Sequence, residues 1–228
     1  MRMTWHDLLF AHWTFPPDAL SPLVPRVLSL DTLHGRAWLA VTPFRMSNVA
    51  PRGMPALPGV SAFPELNVRT YVRRDGMPGV LFLSLDAASR LAVLAARLVY
   101  HLPYYHATMS VTPEGDGFRY VSRRRDPRGA PAELRARYGP AGPLSRPEPG
   151  SLEHFLVERY CLYATAPGAR LYRADIHHAP WPLQPATAVF EANTMVEAVG
   201  LRLPATGPVL HFAQRLDVVA GPPRREAI

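Results

Sequence analysis

A proline has no backbone N–H to donate and holds its own φ fixed, so it breaks helix interiors and central strands. This chain carries 26 prolines in 228 residues. A fold of many short elements joined by stiffened loops follows, and a helical bundle does not. Two stretches dense in proline, residues 43–64 and 126–150, read as long loops of a single domain spanning residues 1–228, because neither is flanked by a change in composition. Long loops in a compact domain often form lids or mouths of binding sites.

Between the prolines, periodicity assigns the elements. Residues 4–13 space Trp5, Leu8, Leu9, His12 and Trp13 like a short helix, and residues 18–30 suggest an amphipathic helix limited by Pro22 and Pro25. Residues 35–44 read as a strand ended by Pro43. In residues 65–73, Leu66, Val68, Thr70 and Val72 share one face, while Glu65, Asn67, Arg69 and Tyr71 share the other. Residues 79–85 are apolar on both faces and read as a buried strand, with Asp86 placed to cap a helix over 87–99. Residues 106–112 and 117–124 form a hairpin across a turn-rich loop, and 132–138 alternate as a strand. Ser151 caps a helix to about Arg159. Strands follow over 160–165 and 169–178 around a Pro167-Gly168 turn, then over 186–192. A short helix at 194–199 ends at Gly200, and 208–219 make the last strand. About nine strands and three or four helices indicate an α+β domain, mainly antiparallel β, closed or partly closed into a barrel.

Composition removes several chemistries. All 25 basic residues are arginine, and there is no lysine. No side chain can form a Schiff base, anchor pyridoxal phosphate or supply a phosphate-loop lysine. One cysteine, Cys161, excludes an internal disulfide and a cysteine-based zinc cage. The nine histidines lack metal-ligand spacing, since His177 and His178 are adjacent and His101 and His106 straddle a proline. No metal and no cofactor are expected. An acidic residue and a histidine stand where a signal peptide would be apolar, and no apolar run spans a membrane, so a cytoplasmic protein with no membrane partner is expected. The net charge of +7 raises nucleic acid as a partner. Arginine is dense only at Arg123, Arg124, Arg125 and Arg128, which argues against it. Homo-oligomer formation is left open.

Several strings run in order along nearly the whole chain: Leu9-Phe10-Ala11-His12-Trp13, Phe63-Pro64-Glu65-Leu66-Asn67-Val68-Arg69-Thr70-Tyr71-Val72, Phe82-x-Ser84-Leu85-Asp86, Ala96-Arg97, Leu102-Pro103-Tyr104, Arg159-Tyr160-x-Leu162-Tyr163 and His178-x-Pro180-Trp181-Pro182-Leu183. Together they resemble the YqjF-like family of uncharacterised bacterial proteins, in the acetoacetate decarboxylase-like superfamily. The resemblance implies a cone-shaped β-barrel with a few short helices and a ligand cavity, one wall of which is an acid-bearing strand similar to that of Glu65. It also implies that the segment Leu102-Pro103-Tyr104-Tyr105-His106 stands where the decarboxylase carries its imine-forming lysine. With no lysine in the chain, that mechanism is excluded while the cavity can survive.

Glu65 and His106 are the expected proton-transfer residues. Asn67, Arg69, Tyr71, Arg97, Tyr104 and Tyr105 are the expected ligand-binding ones. Arg69 suits a carboxylate or carbonyl ligand, with Glu65 as acid or base. The expected function is binding of a small organic acid or carbonyl compound, with or without a lysine-independent lyase or hydrolase-like activity. The alternative is a non-enzymatic scaffold whose Arg-rich hairpin at 119–128 docks an acidic partner.

Overall fold

The structure is a computed structural model that describes residues 1–51, 53–57, 61–166, 168 and 170–226. Thirteen strands and three short α-helices are present among these residues. The first strand, β1, spans Arg2–Phe15, so the helix-like spacing of residues 4–13 is overturned. Leu8 and Phe10 pack in one apolar cluster, Leu9 and Ala11 in a second. An apolar strand buried on both faces matches a helical template equally well, and here the strand prevails. The expected helix over 18–30 shrinks to α1 (Pro17–Leu20) and a following 3₁₀ turn. Pro22 and Pro25 lie just beyond, and Ser29–Leu30 already pair as β2.

Strand β3 (Ala37–Ala50) runs through Pro43. Proline is tolerated there because the β1–β3 register shifts between His6 and Ala11, so the ladder is already interrupted opposite it. Asp7, in the bulge, has φ 51° and is held by Arg45. Strand β4 (Phe63–Arg74) and β5 (Met77–Ala87) follow, and then α2 (Arg90–Val99). The helix cap is Ser89, whose side chain accepts from the Ala92 N–H. Asp86 remains in β5 and caps nothing. The hairpin is β6 (Tyr104–Glu114) and β7 (Gly117–Arg124), followed by β8 (Glu133–Pro140). Both proline-dense stretches are therefore shorter loops than expected, since they contain parts of β3 and β4 and all of β8.

Ser151 caps α3 (Leu152–Val157) as expected, and β9 (Cys161–Ala166) and β10 (Arg170–His178) follow. Of the turn expected between them, Pro167 lies outside the described residues, while Gly168 takes φ 80°. Strand β11 (Gln184–Asn193), a 3₁₀ turn at Glu197–Val199 ending on left-handed Gly200, β12 (Val209–Ala220) and β13 (Arg224–Arg225) complete the order.

The sheet forks. One edge of β5 pairs with β4, and the other is shared by β6 and β9, the only parallel pairings among the described strands. Strand β12 likewise pairs with β1 on one side and with β11 and β10 on the other. Hydrogen bonding therefore closes a circuit of seven strands, β5-β4-β3-β1-β12-β10-β9, and a second circuit through β6, β7, β8 and β11. The two circuits fork at β5 and β12 and share the strands between the forks, β4, β3 and β1, whose central residues are buried on both faces. Odd-numbered residues of β4 turn toward the first circuit, while Leu66 and Val68 pack in the apolar cluster of the second. A solvated sheet face is thereby excluded for Glu65, Asn67 and Arg69. The close approach of β5 to β9 needs Gly79, because a Cβ there would meet Cys161 Sγ and the Tyr163 ring at 2.7 Å.

Candidate functional site

The seven-strand circuit encloses a cavity of about 510 Å³, within the range that holds a small organic ligand. Most of its wall is apolar, with Trp5, Phe44, Phe82 and Trp181 among the larger side chains. The polar part of the wall is concentrated on β4, where Glu65, Asn67 and Arg69 line the cavity at two-residue spacing. All three are buried.

Glu65 accepts a hydrogen bond of 2.7 Å from the Tyr104 hydroxyl, and Tyr104 also lines the cavity. The Tyr120 hydroxyl, from the second circuit, donates to the Glu65 backbone carbonyl at 2.7 Å. Burial pushes the Glu65 carboxyl up from 4.5 to about 8, against the lowering effect of the Tyr104 hydrogen bond and with a further push from Asp86. At neutral pH this carboxyl is therefore mostly protonated and can donate a hydrogen bond.

Arg69 is a buried guanidinium with no carboxylate within 4 Å among the described residues. One Nη donates to the Leu156 carbonyl at 3.5 Å, and the cation lies 5.2 Å from the centre of the Phe10 ring. Its Nε, the Asn67 Oδ1 and the indole nitrogens of Trp5 and Trp181 are buried without hydrogen-bond partners. All four atoms belong to residues of the cavity wall. Such atoms are costly unless a ligand or water meets them.

Tyr71 shares the β4 face but lies past the cavity. Its hydroxyl is 2.8 Å from His12 Nε2, and Arg159 stacks 5.1 Å from its ring centre. Burial, followed by the Arg69 charge, holds fully buried His12 well below the usual histidine range. Arg159 reaches the cavity wall while paired to Asp31 at 2.6 Å, the salt bridge its place at a helix–strand junction suggests.

The structure does not bring Tyr105, His106 or Arg97 to this wall. Tyr105 stacks against Arg124, 4.2 Å from its ring centre. His106 gives its backbone N–H to Asp126 at 3.2 Å, and burial followed by the Arg90 charge lowers its side chain from the ordinary value. Arg97 donates to the Tyr104 carbonyl at 2.8 Å, so it ties α2 to the start of β6. Strand alternation accounts for Tyr105, whereas His106 lies further along β6, at the end of its pairing with β5, and Arg97 stands on α2. Tyr104 points inward from the first position of β6, so its neighbour Tyr105 turns the other way.

The arginine cluster is largely neutralised from within. Arg124 is buried in a 2.6 Å pair with Asp86, Arg128 pairs with Asp126, and Arg119 lies 3.6 Å from Glu191. Arg123 and Arg125 remain exposed. Reading the sequence missed Tyr120 and the Asp86–Arg124 pair, because both connect segments far apart in the chain. No cluster of three or more metal-ligating side chains occurs among the described residues, and no helix among them is long and apolar enough to cross a membrane. Cys161 is buried and free, and burial raises its thiol above the ordinary value.

Comparison with known proteins agrees with this fold. The chain is 47% identical over 225 residues to the uncharacterized protein YqjF of Bacillus subtilis (strain 168), covering 99% of this chain and 92% of that one. Among solved structures it is similar to the enduracididine biosynthesis enzyme MppR, complexed with the condensation product of pyruvate and imidazole 4-carboxaldehyde. That likeness has a TM-score of 0.67 and 13% identity, over 98% of this chain and 88% of the other. The acetoacetate decarboxylase of Legionella pneumophila superposes with a TM-score of 0.63 and 15% identity, over 100% of this chain and 88% of that one. These likenesses establish an acetoacetate decarboxylase-like fold. The DUF2071 family, described as an uncharacterized conserved protein, matches residues 2–217, and the chain belongs to that family.

Proposed function

We propose that the seven-strand circuit acts as the cone-shaped barrel implied by the family resemblance and binds a small organic acid or carbonyl compound against Glu65, Asn67 and Arg69. The observation that carries this reading is Arg69, a buried cation on a cavity wall with no carboxylate partner among the described residues. An isolated buried charge is expensive, and an anionic ligand is the natural compensation. A neutral Glu65, four residues away on the same strand face, adds no competing negative charge.

If a reaction follows binding, it proceeds without a side-chain imine, because no lysine exists. Arg69 holds the carboxylate end of the ligand, and the Glu65 carboxyl, about 13 Å away along the same strand face, meets a carbonyl oxygen toward its other end. When the bond from the carbon next to that carbonyl to a departing electrophile breaks, its electron pair forms a carbon–carbon double bond. The carbonyl π pair moves onto the oxygen, which takes the Glu65 proton, while the departing fragment leaves as a carbonyl compound or CO2. Tyr104 holds the resulting carboxylate by its hydrogen bond. This is lyase chemistry driven by a hydrogen-bond donor in a dry site.

Calorimetric titration with acetoacetate and pyruvate tests the reading, using the natural protein and Arg69→Gln. Binding that weakens at least about tenfold in Arg69→Gln supports it, and equal binding by the two proteins refutes it. Borohydride added to the complex leaves every side chain unmodified in a peptide map.

A further inference from the structure

The cavity is far larger than the head group its polar side can hold. A water or methylene-sized group takes about 30 Å³, so about 510 Å³ accommodates on the order of a dozen non-hydrogen atoms at ordinary packing. Carboxylate and carbonyl atoms account for only a few of these. Most of the remaining wall is apolar, with Leu8, Phe44, Met46 and Phe63 on one side and Ala92 and Ala96 of α2 on another. Thr42, Tyr100, Arg159 and His178 are polar members of it.

Burial also gives the cavity a direction. Glu65, Asn67 and Arg69 are at most 7% exposed. Pro51, Ala95 and Val99 line the same cavity and are exposed. The opening therefore lies between α2 and the segment that follows β3. Other side chains of those two segments are exposed apolar groups, namely Leu91, Leu94 and Leu98 on the helix and Met54 and Leu57 beyond Pro51. Most of the wall between this opening and the charged end is apolar. Of the five unpartnered polar atoms in the wall, Arg69 Nε and the two indole nitrogens only donate, Asn67 Oδ1 only accepts, and the Thr42 hydroxyl can do either. The three donors match a head group rich in acceptors and poor in donors.

We infer that the ligand is an amphiphilic monocarboxylic acid, its carboxylate at Arg69 and an apolar tail of about eight carbons lying along the wall toward α2. The inference rests on the reading that the β4 side chains bind a carboxylate. It adds the chemical class of the rest of the molecule, which the charged end alone does not specify.

Three probes separate the two readings: butyrate, octanoate and octan-1-amine, each titrated against the natural protein, Arg69→Gln and Ala96→Leu. Binding is read by calorimetry and by the fluorescence of Trp5 and Trp181, which lie in the wall. Each buried methylene strengthens binding about fourfold. Octanoate is therefore expected to bind at least about thirtyfold tighter than butyrate, and octan-1-amine much more weakly than octanoate. Ala96→Leu, a good helix former that fills the tail region, is expected to weaken octanoate more than butyrate. Butyrate binding as tightly as octanoate, with both lost in Arg69→Gln, overturns the tail and leaves the carboxylate reading standing. Octanoate and octan-1-amine binding equally, both indifferent to Arg69→Gln, overturns the carboxylate reading and the inference built on it. No binding by any probe overturns both.

Discussion

Replacing Glu65 by glutamine tests the central electrostatic feature of the site. Glutamine has the shape of a protonated glutamic acid and keeps an oxygen to accept from Tyr104, so the change removes only the titration. In the folded protein the Glu65 carboxyl is raised to about 8 by burial, while an unfolded chain titrates near 4.5. Between these values the folded state holds a proton that the unfolded state has released. Stability therefore falls as pH rises from about 4.5 to about 8, and is flat with respect to this group outside that window. The full shift corresponds to about 5 kcal/mol at 1.36 kcal/mol per pKa unit, an upper bound because solvent entering the cavity softens the burial. The measurement is denaturant unfolding of both proteins at half-unit steps from pH 4 to pH 9, plotted as the difference between them. Contributions of other titrating groups cancel in that difference. The variant is expected to match the natural protein near pH 4.5 and to become several kcal/mol more stable by pH 8.5. Parallel curves that stay within about 1 kcal/mol refute the argument, and with it the neutral Glu65 on which the proposed proton donation depends.

Arg124→Met leaves Asp86 buried without its partner, and is expected to cost about 3–5 kcal/mol in denaturant unfolding, with most of the loss recovered in the Asp86→Leu/Arg124→Met double variant. Arg69→Met is expected to be neutral or stabilising while abolishing carboxylate binding, because it removes an uncompensated buried cation. A stability loss above about 2 kcal/mol there shows the guanidinium to be structural instead. Gly79→Ala forces a Cβ to within 2.7 Å of Cys161 Sγ and the Tyr163 ring, so a melting-temperature loss equivalent to about 1–3 kcal/mol is expected. Ser89→Ala removes the cap of α2 and is expected to cost about 1 kcal/mol in denaturant unfolding.

Local signals identified the hairpin β6–β7, the Ser151 cap, the left-handed Gly200 stop and the alternation of β4, because each depends on residues a few positions apart. They failed at β1. Residues 4–13 are apolar at helical spacing, and the strand becomes the better solution only when two clusters exist to bury its opposite faces. They failed again at Pro43, which ends a strand in isolation but not beside a bulge whose ladder is already open. Asp86 looked like a cap because an acid before a helix usually is one, and its true partner Arg124 lies 38 residues away.

The sequence by itself determined what this protein cannot do and which side chains share a face. The absence of lysine excludes a side-chain imine in any fold, and strict alternation along an extended strand puts Glu65, Asn67 and Arg69 on one side whatever that side meets. Tertiary structure decided what it meets. Pairing of β12 with both β1 and β10, strands remote in the chain, closes the circuit that turns that face from a wet surface into a cavity wall. Burial then raises the Glu65 carboxyl and leaves Arg69 without an anion. The same closure turned Tyr104 inward and left Tyr105, His106 and Arg97 outside. Desolvation is a property of the space around a residue, and that space is built by contacts no local stretch of sequence contains.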